Sequence, residues 1–243
     1  MSDSTQQLNR MRSIHPQMKI AYECEMAYVD RWMKDHPAAT RPMVLDAGCG
    51  FQYGLVMHYR GRVDVFGVEM DEHVLQKNRD VTWRVVGDAM QLPAASSAFE
   101  LIFCRDVLEH LPDPLATLRE FARVLKPGGL AVITTVNVRN PGMWAIRLTP
   151  RWLRTAVRSA SFGDALGDNA PTFHRANTPS LLRARVREAG LELEALETWP
   201  TFLWYFRFLP PVMFTMVAVN GLLQKLGGQT LFGGMTVAVR RPG

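Results

Sequence analysis

Val44-Leu45-Asp46-Ala47-Gly48-Cys49-Gly50 decides the fold. Met43-Val44-Leu45 is a short apolar run, long enough for a buried parallel strand. It stops at a carboxylate and two glycines spaced by one residue. Glycine takes up backbone angles that a side chain forbids and admits a ligand close to the main chain. A strand that ends in glycines and turns into a helix sets free backbone N–H groups at the carboxyl edge of a sheet, where open α/β folds bind nucleotides. Asp46 adds a negative charge beside that turn. Such a charge repels a pyrophosphate and suits a ligand carrying an ammonium group.

Short glycine patterns occur by chance, so this one gains its value from the segments C-terminal to it. Val65-Phe66-Gly67-Val68-Glu69 reads as a second strand ending in a carboxylate, about 20 residues on, where nucleotide folds place the acid that bonds ribose hydroxyls. Trp83 to Ala89 reads as a third strand ending in Asp88, and Phe99 to Cys104 as a fourth, followed by Asp106-Val107-Leu108-Glu109-His110-Leu111. Lys126-Pro127-Gly128-Gly129-Leu130 then precedes a fifth. At these residues the chain resembles the class I S-adenosylmethionine-dependent methyltransferases, in particular their type 11 group of small-molecule enzymes. The resemblance runs from Pro42 to Val136, with weaker echoes beyond. One departure is Gln52, where the family often has a third glycine; it stands to crowd or hydrogen-bond the methionine end of the cofactor.

The resemblance implies S-adenosyl-L-methionine as cofactor, with Asp46, Gly48 and Gly50 at its amino-acid end and Glu69 on its ribose. Met70 is placed to lie on the adenine face, since thioethers make favourable aromatic contacts, or else to pack in the core. Asp88 either accepts from the adenine amino group, with the Ala89 backbone facing the ring, or caps a helix. Cys104, at the end of the fourth strand, completes the set.

The 243 residues suit one α/β domain with a cap, and 47% hydrophobic with 21% charged residues is ample for a core. Cys24, Cys49 and Cys104 are odd in number and far apart, which argues against a disulfide framework or a thiolate metal site and for a reducing compartment. The polar stretch Met1 to Arg12 has no apolar signal core, so a cytoplasmic protein is expected. The divisions expected are an N-terminal helical segment (1–40), a cofactor-binding core (42–136), a cap insertion (137–177), and a C-terminal part of the sheet (178–243) carrying an apolar insertion at 200–229.

Met18, Tyr22, Met26, Val29 and Met33 recur at helical spacing, as a helix packed on the sheet edge or as a flap over the acceptor. Tyr53 to Arg60 should be the first helix after the glycine turn, and Asp71 to Asn78 the second. Leu108 to Leu125 reads as one amphipathic helix with a stripe of Leu111, Leu115, Leu118, Ala122 and Leu125, ended by Pro127-Gly128-Gly129. Leu130 to Val136 is then a central fifth strand. Thr178-Pro179 restarts the pattern with an N-cap and a first-turn proline before Leu181 to Ala189. Leu191 to Thr198 alternates like a half-buried strand, and Gly234 to Arg240 is the last strand, antiparallel in the resembled family. The expected architecture is a Rossmann-like, seven-stranded, mostly parallel sheet with helices on both faces and a helical cap.

Methyl transfer from a sulfonium is an in-line displacement that needs alignment, exclusion of water and, for a hydroxyl acceptor, removal of a proton. His110 and His174 are the candidate catalytic bases, because imidazole titrates near neutral pH. Asp106, Glu109 and His110 would share one face of a helical turn and could hold a divalent ion, as a similar stretch does in some quinone-type O-methyltransferases of the group. Since Glu-His is widespread there without any metal, none is expected. No Pro-Pro-aromatic motif follows the fourth strand and no aromatic–basic alternation occurs, so nucleic acid is not an expected partner.

The expected function is methylation of a small or lipid-linked acceptor, at oxygen in the first place. The alternatives are carbon or nitrogen methylation, or a non-catalytic cofactor-binding or scaffold protein. Arg139, Arg147, Arg151, Arg154 and Arg158 lie in an acid-free stretch, and Arg151, Arg154 and Arg158 fall on one side of a helix begun by Thr149-Pro150. With the apolar run from Phe202 to Leu226, this suits either an anionic membrane surface at the inner face or a packed cap. The oligomeric state stays open.

Overall fold

The computed structural model describes residues 16–35, 41–50, 59, 61–141, 143, 150, 171–200 and 210–243. Helix α1 (Pro16–Asp35) leads to strand β1 (Met43–Ala47), β2 (Asp64–Glu69), α2 (Glu72–Lys77), β3 (Trp83–Val86) and β4 (Phe99–Arg105). A 3-10 turn (Leu108–His110), α3 (Pro114–Val124), β5 (Leu125–Val136), α4 (Pro179–Glu188), β6 (Glu192–Trp199), α5 (Pro210–Lys225), a second 3-10 turn (Gly228–Leu231) and β7 (Gly234–Arg240) come next. All seven strands join in one sheet of order β3-β2-β1-β4-β5-β7-β6. β1 pairs in parallel with β2 and β4, β2 with β3, and β4 with β5, while β7 runs antiparallel to β5 and to β6. The sheet is therefore mostly parallel, with the reversed strand where the family resemblance puts it.

Alternation along the strands assigns each helix a side. Leu45, Ile102, Cys104, Ala131, Ile133, Met235 and Val237 pack with Leu118, Phe121 and Val124 of α3 and Leu182 and Val186 of α4. Val44, Leu101, Phe103, Leu130 and Val132 point the other way, to Tyr22, Met26, Val29 and Trp32 of α1 and Leu75 of α2. Helices thus cover both faces. α1 lies on the face of the sheet rather than along its edge, and buries Val29 and Trp32 almost completely.

Two expected boundaries shift. No single helix spans Leu108 to Leu125. Pro112 and Pro114 interrupt it, since proline disfavours the helical region for the residue before it, and α3 starts at Pro114 with Asp113 Oδ1 accepting from the Leu115 and Ala116 N–H groups. Phe121, not Ala122, completes its buried stripe. β5 already begins at Leu125, and the register against β4 jumps from Phe99↔Leu125 to Leu101↔Leu130, so Lys126–Gly129 forms an irregularity within the strand. α2 and α4 start as expected, capped by the Asp71 carboxylate and the Thr178 hydroxyl. The expected helix from Tyr53 to Arg60, the Gln52 departure and the arginine-bearing helix at 151–158 lie outside the described residues.

Candidate active site

The carboxyl ends of β1, β2 and β3 bring Asp46, Gly48, Gly50, Glu69, Met70 and Asp88 to one edge of the sheet. Gly48 and Gly50 have φ of +74° and +53°, which L side chains rarely adopt. A Cβ on Gly48 would lie 2.3 Å from Val107 Cγ2, whereas one on Gly50 would meet nothing within 4 Å. From Gly48 to Gly50 the turn is not an anion cradle. The Gly48 and Cys49 N–H groups both donate to the Val68 carbonyl (2.8 and 3.1 Å), and the Gly50 N–H donates to Glu69 Oε2 (3.1 Å). The free N–H groups expected there are taken up at the end of β2, which leaves the site's charge to its acids.

Glu69 also accepts from the Met70 and Asp71 N–H groups at 2.8 and 3.2 Å. Its carboxylate therefore ties the glycine turn to the start of α2. Asn78, fully buried behind the turn, completes the bracket. Its Nδ2 donates to the carbonyls of Cys49 and Gly50, both at 3.1 Å, while its Oδ1 accepts from the N–H groups of Asp80 and Val81. An asparagine directly after a short helix reads as a C-cap, so nothing local marks this role. Burial, then the charges of Glu69 and Asp80, push the Asp46 carboxyl up to about 7.

Met70 is 64% exposed, which excludes core packing. Asp88 caps no helix. Its Oδ1 accepts from the Met90 N–H at 2.8 Å and its carbonyl from Gln91, closing a turn. Ala89 is buried beside it. Cys104 is enclosed in the apolar core on the α3 side, where burial raises its thiol well above the ordinary range. It backs the site from within the core.

The second half of the edge comes after β4. Arg105 forms a buried ion pair with Glu25 of α1, which ties the N-terminal helix to the strand end. Desolvation lowers the guanidinium to about 10. Asp106 and His174 are both non-glycine residues at φ 53°. Left-handed backbone in such residues is sparsely populated and collects at functional sites. The Glu109 carbonyl accepts from the N–H groups of Phe173 and His174 (2.7 and 3.2 Å), so the segment carrying His174 lies against the residue before His110. His110 Nδ1 stands 3.1 Å from the Pro171 carbonyl. A carbonyl only accepts, so Nδ1 holds the hydrogen in this contact and leaves Nε2 as the ring's other nitrogen.

The Asp106, Glu109 and His110 side chains do not converge. Glu109 and His110 sit on a 3-10 turn rather than an α-helix, Asp106 precedes that turn in left-handed backbone, and the buried Glu109 carboxylate accepts from Thr135 Oγ1 at 2.7 Å. Among the described residues no group of three or more His, Cys, Asp or Glu is placed to hold a metal ion.

Residues 45–133 match the family model described as "Methyltransferase domain". A ubiquinone biosynthesis O-methyltransferase of Stutzerimonas stutzeri (strain A1501) is 29% identical over 175 residues, covering 67% of this chain and 70% of its own. In fold the chain is similar to an S-adenosylmethionine-dependent methyltransferase from Mesorhizobium loti (TM-score 0.55, 21% identity, 84% of this chain and 93% of that one). It is also similar to Haemonchus contortus phosphoethanolamine N-methyltransferase 2 in complex with S-adenosyl-L-methionine (TM-score 0.54, 16% identity, 91% and 53%). The acid cluster and the glycine turn with its N–H groups already occupied fit a cationic amino-acid ligand better than a phosphate. Residues 45–133 thus carry a methyltransferase domain, and the chain is similar in sequence and in fold to methyltransferases that take their methyl group from S-adenosylmethionine.

Proposed function

We propose that the enzyme methylates a hydroxyl of a small or lipid-linked acceptor, and that the proton leaves to one of the imidazoles of His110 and His174. The observation that carries this reading is the Glu109 carbonyl, which gathers Phe173 and His174 onto the turn that presents His110. The activity named for the Stutzerimonas stutzeri relative, O-methylation in ubiquinone biosynthesis, supports oxygen as the atom methylated. When bound, the cofactor supplies an activated methyl on a sulfonium. The residues then have only to align, dry and deprotonate the acceptor.

In this reading Asp46, Gly48 and Gly50 hold the amino-acid end of the cofactor. Glu69 takes the ribose, Met70 and Ala89 flank the adenine, and Asp88 accepts from its amino group. Residues 137–177 and 200–229 form the cap. The test is transfer of labelled methyl to a panel of hydroxyl, amine and carbon acceptors. Transfer to amines alone would overturn the oxygen assignment, and no transfer to any acceptor despite tight cofactor binding would favour a scaffold.

The acid end of the site carries a pH signature. Asp46 holds its proton up to about 7 in the folded chain, against 3.8 unfolded. Its contribution to stability is full below the unfolded value and is lost as pH rises through the folded one. A ligand ammonium beside the carboxylate reverses that slope. S-adenosylmethionine affinity is therefore expected to rise between about pH 6 and pH 8, and Asp46→Asn to flatten the rise. Calorimetry across that range checks it, and an unchanged slope in Asp46→Asn removes Asp46 from the amino-acid end.

An anionic bilayer surface is the proposed partner. Phe214, Val217, Leu222 and the following Leu226 are exposed on and just after α5, whose single charge is Lys225. No helix among the described residues is long and apolar enough to cross a membrane. Each basic residue near an anionic surface contributes about 1 kcal/mol. Replacing Arg151, Arg154 and Arg158 together with glutamine should then weaken vesicle binding on the order of 100-fold. Sedimentation with phosphatidylglycerol vesicles reads this out. Protein that stays in the supernatant at low salt would leave the packed cap in place of the membrane.

A further inference from the structure

A buried polar chain runs beneath the two imidazoles. Asn177 Nδ2 donates to Thr135 Oγ1 at 2.7 Å, and Thr135 Oγ1 donates in turn to Glu109 Oε2 at 2.7 Å. All three residues are buried. Every donor in the chain points the same way, toward the carboxylate, and bonds in such a series polarise one another. The three come from distant parts of the sequence. Glu109 lies on the turn after β4, Thr135 near the end of β5, and Asn177 just before the Thr178 cap of α4.

The same residues govern the segment 171–177. Its Phe173 and His174 N–H groups end on the Glu109 carbonyl, and Arg175 Nη1 donates to the Pro112 carbonyl at 2.8 Å. Asn177 Nδ2 also reaches the Val136 carbonyl, and the Asn177 carbonyl accepts from the Val138 N–H. The segment is fastened at both ends, with Glu109 at one and Asn177 at the other, and Thr135 joins the two fastenings side chain to side chain. A shift at either fastening changes the distance between His110 and His174.

We propose that Asn177, Thr135 and Glu109 are positioning residues that set the spacing of the His110 and His174 imidazoles. The proposal rests on the imidazole reading above as to purpose, but its geometry is testable without an acceptor. Thr135 is the place to cut the chain. Valine keeps its shape and suits a strand, but neither donates nor accepts, whereas serine keeps the hydroxyl and loses only a methyl.

The experiment compares wild type, Thr135→Val and Thr135→Ser, each full length and saturated with S-adenosylhomocysteine. Amide hydrogen exchange is followed at Phe173 and His174, together with the ring nitrogens of His110 and His174 by NMR. Thr135→Val should speed exchange at Phe173 and His174 by about tenfold or more while the β1 and β4 amides stay protected. It should also shift the His110 ring signals away from the Nδ1–H form. Thr135→Ser should restore both. Unchanged protection and ring signals in Thr135→Val would overturn the proposal, and so would equal losses in the valine and serine variants, which point to packing alone. These signals report the spacing device even if no hydroxyl acceptor is found, so its failure is distinct from failure of the oxygen assignment.

Discussion

Gly48→Val is expected to abolish S-adenosylmethionine binding while most of the sheet survives. Two effects combine at this position. The backbone sits at φ +74°, which a β-branched residue meets only under strain of about 1–3 kcal/mol. The new Cβ would also lie 2.3 Å from Val107 Cγ2, against about 3.5–4.0 Å for a favourable carbon–carbon contact. Either the glycine turn or Val107 must move, and Val107 leads directly into the turn carrying Glu109 and His110. One substitution thus disturbs both halves of the site. Gly50→Ala is the control. It shares the left-handed strain but meets nothing within 4 Å, so its loss should be far smaller. Glu69→Ala falls between them. It removes charge-assisted bonds worth about 1.5–3 kcal/mol each, roughly a 10- to 150-fold loss of affinity. Isothermal titration ranks the three. Full-strength binding by both Gly48→Val and Glu69→Ala would remove the cofactor from this edge of the sheet.

Turnover should respond to the imidazoles without any change in cofactor affinity. A single positioned base contributes about 10²–10⁴-fold, so alanine at whichever of His110 and His174 takes the proton should slow transfer to a hydroxyl by that factor. If both belong to one proton path, the double variant should be little slower than the worse single one, as groups acting as a unit are not additive. Near wild-type rates in both single variants, with an acceptor that wild type methylates, would dispose of the imidazole base. Recovery of a lost rate by Mg²⁺ would bring back the ion site on Asp106, Glu109 and His110, against the observed direction of the Glu109 side chain.

The parallel half of the fold was legible in the sequence because each strand ends in a local signal. Asp46, Glu69 and Asp88 close apolar runs, and β1, β2 and β3 each end within two residues of them. Caps were legible for the same reason: Asp71 and Thr178 act within their own turns. What escaped was made by residues far apart. Nothing near Asn78 indicates that its amide will hold two carbonyls 28 and 29 positions earlier. The turn's N–H groups looked free because the Val68 carbonyl and Glu69 carboxylate that take them belong to another strand. The helix expected from Leu108 failed on its own prolines, which the apolar spacing concealed. His110 and His174 were each singled out by chemistry, but the Glu109 carbonyl that unites them is a main-chain atom and has no signature in side-chain sequence.

The place of β7 has a consequence for synthesis. It separates β5 from β6 in the sheet although it comes after both in the chain. On the ribosome β6, complete at Trp199, has no strand to pair with until residues 234–240 are made. At about 5–20 residues per second that interval lasts on the order of seconds. Meanwhile β5 presents an unpaired edge and β6 a lone amphipathic strand, both open to pairing with other chains. Chains truncated before Gly234 should therefore aggregate through these edges, whereas released chains that include Arg240 cover both.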